Sequence, residues 1–175
     1  MQQKQLYCTL VVALAISALL LWQFLHDGVP RHYILRRADM PSVSNWWGAL
    51  ILPALTWHAI GRINRRVGDD WPAIIYVGFL AGLGYGIVLS LSYVFSWEQL
   101  SSMMAPALLV IALFVPIFQA EYFLGFVLAL SYSFGAVLPL AFAIVFALLG
   151  FLIYQFVRRG ILALIKSPGS QARND

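Results

Sequence analysis

The residues able to do chemistry are concentrated between positions 26 and 48, in the run HDGVPRHYILRRADMPSVSNWWG. Two of the three histidines fall there, in a sequence that is 62% hydrophobic and 10% charged. Three readings fit those residue types. In the first, Arg31, Arg36 and Arg37 clamp an anion, because guanidinium groups offer paired donors that match phosphate or carboxylate oxygens. Trp46 and Trp47 border that clamp with rings suited to the headgroup level of a bilayer. In the second, His26 or His32 acts as acid/base or nucleophile, Asp27 or Asp39 orients it, and the arginines stabilise developing phosphate charge. In the third the loop is an interfacial re-entry: the arginines hold lipid phosphates, the two aspartates pair with them, and the tryptophans anchor the next helix.

The spacing of His26, Asp27, His32 and Asp39 has no diagnostic coordination geometry, so no metal is expected. No cofactor is expected either. Ser42 and Ser44 lack the strand–turn–helix setting of an activated nucleophile. The loop over 26–44 is far longer than the ~2–8 residues usual between packed helices. Its Tyr33, Ile34 and Leu35, and its turn-placed prolines and glycine, predict order rather than disorder. Residues 31–37 are expected to form a short helix lying in the interface, apolar side down.

What must position this loop is a set of apolar helices. Mean hydropathy is +0.83, and the charged fraction is far below the ~25% of a soluble domain. The expected fold class is all-α: a polytopic α-helical membrane protein with six transmembrane helices, five being the alternative. A single integral membrane domain covers 1–175. Its spans fall at 6–25, 45–60, 72–95, 100–118, 119–134 and 137–157. An ordered polar extracytoplasmic loop covers 26–44, and a disordered tail 166–175. The first span holds about twenty apolar residues, enough to cross a ~30 Å hydrocarbon layer. Residues 122–157 are too many for one crossing, and Gly135 and Pro139 mark the reversal. Ser44 or Asn45 is expected to cap the second span and Asp70 the third. The single cysteine, Cys8, excludes an internal disulfide.

Orientation follows from the basic residues. With six spans, Lys4, Arg62, Arg65, Arg66, Arg158, Arg159, Lys166 and Arg173 share one side, and only Arg31, Arg36 and Arg37 the other. The positive-inside tendency then puts both termini in the cytoplasm of a bacterial-type inner membrane and the 26–44 loop outside. Basic residues placed beside apolar segments are topology signals, so no nucleic acid partner is expected.

No Asp, Glu, Lys or Arg falls in the middle of an expected span, which disfavours a proton-driven transporter. His58 is expected to be a hydrogen-bonded structural histidine near Arg62. A carrier would need a polar-lined cavity, for which Ser90, Ser92, Ser131, Ser133, Thr56 and Tyr85 are the available lining. Gly78, Gly82, Gly86 and Ser90, spaced four apart, form a groove on the third span where another backbone can approach closely. The row predicts close contact between spans of the chain; the alternative, besides the bilayer, is a second copy or another membrane protein packing through that span. The expected function is a non-enzymatic membrane component, a carrier or complex subunit, whose outer-face loop binds an anion or a lipid headgroup. The alternative is a membrane-embedded enzyme acting on a headgroup or phosphate through the His, Asp and Arg residues of 26–44.

Overall fold

A computed structural model describes residues 2–26, 28, 31–33, 42–158 and 160 of the chain, without the side chains at 31–33, 42 and 43. Asp27, Arg36, Arg37, Asp39 and the tail over 166–175 lie outside the described residues. Long apolar runs with few breakers produce six helices: α1 (Gln2–His26), α2 (Gly48–Val67), α3 (Ala73–Val94), α4 (Glu98–Ile111), α5 (Ala120–Phe134) and α6 (Val137–Leu152). The last passes into a π-helical turn, Ile153–Val157. Three of them, α1, α3 and α6 with its π turn, are long and apolar enough to cross a membrane; α4 and α5 are shorter apolar helices. At 1.5 Å per residue α3 is roughly 33 Å long, close to the ~30 Å of a hydrocarbon core. Leu14, Leu21, Leu80 and Leu148 are all exposed on the outer faces of these helices. Exposed apolar surface of this extent marks a membrane or partner contact.

Contacts fix the helix directions. Lys4 donates to the Asp69 carbonyl at one end of the α1–α2 pair. Asn45 Nδ2 donates to Gln23 Oε1 at 3.2 Å at the other. α3 and α5 run parallel, because Gly78 lies against Glu121 and Tyr122, and Gly86 against Phe126 and Ala129. Further on, Ser90 bonds Ser133 and Tyr93 meets Phe134 edge-on. α4 returns beside α3, with the Tyr85 hydroxyl donating to the Met104 carbonyl. α6 returns beside α5, and Gly150 ends against Ile117 and Ala112. Successive helices thus alternate in direction, and the start of α1 and the end of α6 lie at what we term the Trp71 end; the opposite one is the Trp46 end. The central core is Ile16, Leu20, Leu52, Phe126, Val127, Leu130, Ala136 and Ala143, drawn from α1, α2, α5, the turn into α6 and α6 itself.

Several local expectations are corrected. Arg31–Tyr33 is a strand, β1, not part of an interfacial helix, and pairs antiparallel with β2, Ser42–Ser44. The partner strand satisfies backbone groups there, and Tyr and Val suit a pleated surface. α2 continues past Gly61 to Val67, so Arg62, Arg65 and Arg66 are helical. α3 starts after Pro72, whose extended ψ of 154° makes it the N-cap in place of Asp70. α4 stops at Ile111, and turns carry the chain through 112–119. Pro116 contributes to that stop, since it cannot donate to the Ala112 carbonyl.

Candidate functional site

The loop candidates gather at the Trp46 end. α1 closes with His26, whose Nδ1 lies 3.0 Å from the Trp22 carbonyl and whose ring centroid is 4.9 Å from that of Trp22. An exposed imidazole engaged with its own helix is held in place, but by groups that lend it no acid/base partner. β1 returns against β2 in the register Arg31↔Ser44, His32↔Val43, Tyr33↔Ser42. Ser44 then caps a 3-10 turn, Asn45–Trp47: its hydroxyl accepts from the Trp46 N–H at 3.4 Å, one of the orphan donors of a helix start. Asn45, 3% exposed, is the buried pin between this turn and α1. With that pin set, Trp46 and Trp47 stay exposed and Trp46 leans its edge on Phe24, centroids 6.5 Å apart.

The backbone of Arg31 is therefore brought opposite Ser44, two residues from Trp46. Of the catalytic candidates, His26 alone has a described side chain, and His32 is placed through its backbone only. Among the described residues no group of three or more His, Cys, Asp or Glu side chains could hold a metal ion. Exposed Trp22, Phe24, Trp46, Trp47, Phe95 and Trp97 surround this end. Amphipathic rings concentrate in that way where a membrane meets water.

The glycine row faces inward. A Cβ on Gly82 would sit 2.3 Å from the Tyr122 carbonyl oxygen, and one on Gly86 2.7 Å from Ala129 Cβ. α5 of the same chain fills the groove, so the row serves packing between helices of the chain. Gly125, which spacing alone did not single out, is its counterpart, since a Cβ there would meet the Phe79 carbonyl oxygen at 2.3 Å.

Sequence reasoning also missed the polar cluster at the Trp71 end. Glu121, 1% exposed, accepts from Arg66 Nη2 at 2.7 Å, while its Oε2 has no hydrogen-bond partner. Gly78 makes room for it; a Cβ there would lie 2.8 Å from Glu121 Cγ. Buried Asn64 accepts from Trp71 Nε1 at 2.9 Å, and Lys4 stands 5.4 Å over the Trp71 ring. His58 is exposed and is not the hydrogen-bonded histidine expected.

The hydroxyls available for a solute path are turned to other work. Thr56 bonds Leu52 O at 2.8 Å, Ser92 bonds Leu89 O at 2.8 Å and Ser131 bonds Val127 O at 2.6 Å, each within its own helix. Ser90 and Ser133 bond each other. No protein-family model, curated protein sequence or solved structure matches the chain.

Proposed function

We propose that the chain is a small multi-pass inner-membrane protein of six crossings with both termini in the cytoplasm. On this reading it is a non-enzymatic component whose outer-face loop holds an anionic group, above all that of a lipid headgroup. The carrying observation is the β1–β2 register, which brings the Arg31 backbone opposite Ser44 at the rim of exposed Trp46 and Trp47. A cation fixed beside aromatic rings at a membrane surface meets a phosphate where lipids present it. The alternation of helix directions supports an even number of crossings, and the distribution of Lys and Arg supports the orientation.

Two observations favour this over its rivals. Thr56, Ser90, Ser92 and Ser131 are buried between helices and line neither cavity beside α4, which counts against a polar-solute carrier. Among the described residues no carboxylate orients the exposed His26 ring, which counts against an acid/base role for it.

The test uses the purified full-length protein in neutral detergent, titrated with short-chain phosphatidylglycerol and, separately, with inorganic phosphate. The Arg36→Ala/Arg37→Ala double variant is expected to insert normally and to bind phosphatidylglycerol about tenfold more weakly, as loss of a charge-assisted contact implies. Binding should also weaken with added salt. Equal affinity of native and variant protein would overturn the reading. Tight binding of phosphate alone would assign the site to a free anion.

A further inference from the structure

α4 stands away from the rest of the bundle, and the reason is visible in the residues. Glycines on both α3 and α5 let those two backbones meet, whereas α4 puts the bulky Met104 and Leu108 toward the cleft. What results is a cavity of about 850 Å³ bounded by α3, α4, α5 and α6. A second cavity of about 330 Å³ shares Tyr85, Leu108, Phe126 and Phe146 with it and continues to Val77 and Ile117. Along α3 the two run from Val94 to Val77, roughly 25 Å at 1.5 Å per residue. Together they form one elongated, mainly apolar space.

Its polarity is graded. Ser101, Ser102 and Ser133 lie at the Trp46 end, and hydrocarbon from Leu108, Phe126, Phe142 and Phe146 lines the depth. The Ser101 and Ser102 hydroxyls donate to the carbonyls of Glu98 and Gln99, at 3.1 and 2.9 Å, and keep lone pairs free. Pro106, lacking an N–H, cannot serve the Ser102 carbonyl four residues back. The rim is thus rich in acceptors. Ligand pockets of ~300–1,000 Å³ that are apolar with a few placed polar groups are the usual form for small molecules with one wet end.

We propose that this cleft binds a single acyl chain of a membrane amphiphile, its hydrogen-bond-donating head at Ser101 and Ser102 and its methyl end toward Ile117. One leaflet offers ~15 Å of chain, half of a ~30 Å core, so an acyl tail fits inside the length available. This rests on the membrane setting but not on the 26–44 loop, and either assignment can fail alone.

The experiment reconstitutes the full chain in nanodiscs containing phosphatidylethanolamine with a photoreactive diazirine in its acyl chain. Crosslinks are mapped by peptide mass spectrometry. Labelling is expected at Ala105, Leu108, Phe142 and Phe146 in excess over the lipid-facing Leu14 and Leu21 of α1. Ala105 lines the cavity and is exposed, so Ala105→Trp fills the space from α4 without displacing the core. That variant should cut cavity labelling about tenfold, the change expected when roughly two methylenes lose their burial, and leave α1 labelling unchanged. The matching phosphatidylcholine probe, whose head has no N–H or O–H donor, should label the cavity more weakly. Even labelling of cavity and α1 in the native protein would overturn the proposal, whether or not Ala105→Trp folds. So would labelling that Ala105→Trp does not change, and equal labelling by the two probes would overturn the head assignment.

Discussion

Glu121 and Arg66 come from the two helix ends whose dipoles favour them: a carboxylate in the first turn of α5 and a guanidinium in the last turn of α2. A carboxylate at 1% exposure beside lipid-facing helices is costly, and Arg66, 37% exposed, offsets that cost with one short charge-assisted contact. Removing the cation alone strands the carboxylate. Arg66→Ala is expected to lower stability by about 3 kcal/mol, the low end for a broken buried pair, since Arg66 still reaches solvent. Glu121→Gln keeps a hydrogen bond and should lose only about 1 kcal/mol. The double change Arg66→Ala/Glu121→Leu should recover most of the single loss, because an apolar replacement leaves no charge stranded. Reversible unfolding in mixed micelles measures all three. A double variant as unstable as Arg66→Ala would show that the pair holds α2 to α5 by packing, not by charge.

At the scale of elements, the α3–α5 contact carries the bundle. Water-driven burial does not join helices in lipid, so close packing must. Gly82→Ala and Gly125→Ala each force a methyl against backbone, and each is expected to destabilise by about 1–3 kcal/mol. Gly84→Ala is the control: nothing lies within 4 Å of its added Cβ, so melting should be unchanged or slightly raised. Equal losses at Gly82 and Gly84 would show that contact with α5 does not set the effect. The small-residue row on α3 was legible because a four-residue period is a local property of the sequence. Its partner was not, since nothing in residues 73–94 says whether α5 or a second copy will fill the groove. The role of Glu121 was not legible for a related reason: it stands beside Gln119 at the edge of an apolar run, and its partner lies 55 residues earlier. The β1–β2 ribbon was hidden because three-residue strands carry no periodicity. The 31–37 run has charges spaced as an interfacial helix would have them.

At the scale of the whole molecule, the alternating helices put Gln99 at the Trp46 end and Arg65 at the Trp71 end. In a Cys8→Ser background, Gln99→Cys is expected to react with an impermeant maleimide on intact cells. Arg65→Cys and Asn174→Cys should react only after permeabilisation. Labelling of Asn174→Cys from outside would rule out six crossings with cytoplasmic ends. The order of packing also sets a schedule for synthesis. The closest partner of α3 is α5, yet the ribosome delivers α4 in between, and 40 residues separate Val94 from Phe134. At ~5–20 residues per second that is a wait of roughly 2–8 s. Throughout it, a nascent α3 sits in the bilayer with its glycine face bare, open to any passing helix. A pause in translation before residue 120 prolongs that exposure, so the speed of elongation through α4 is itself a determinant of correct assembly.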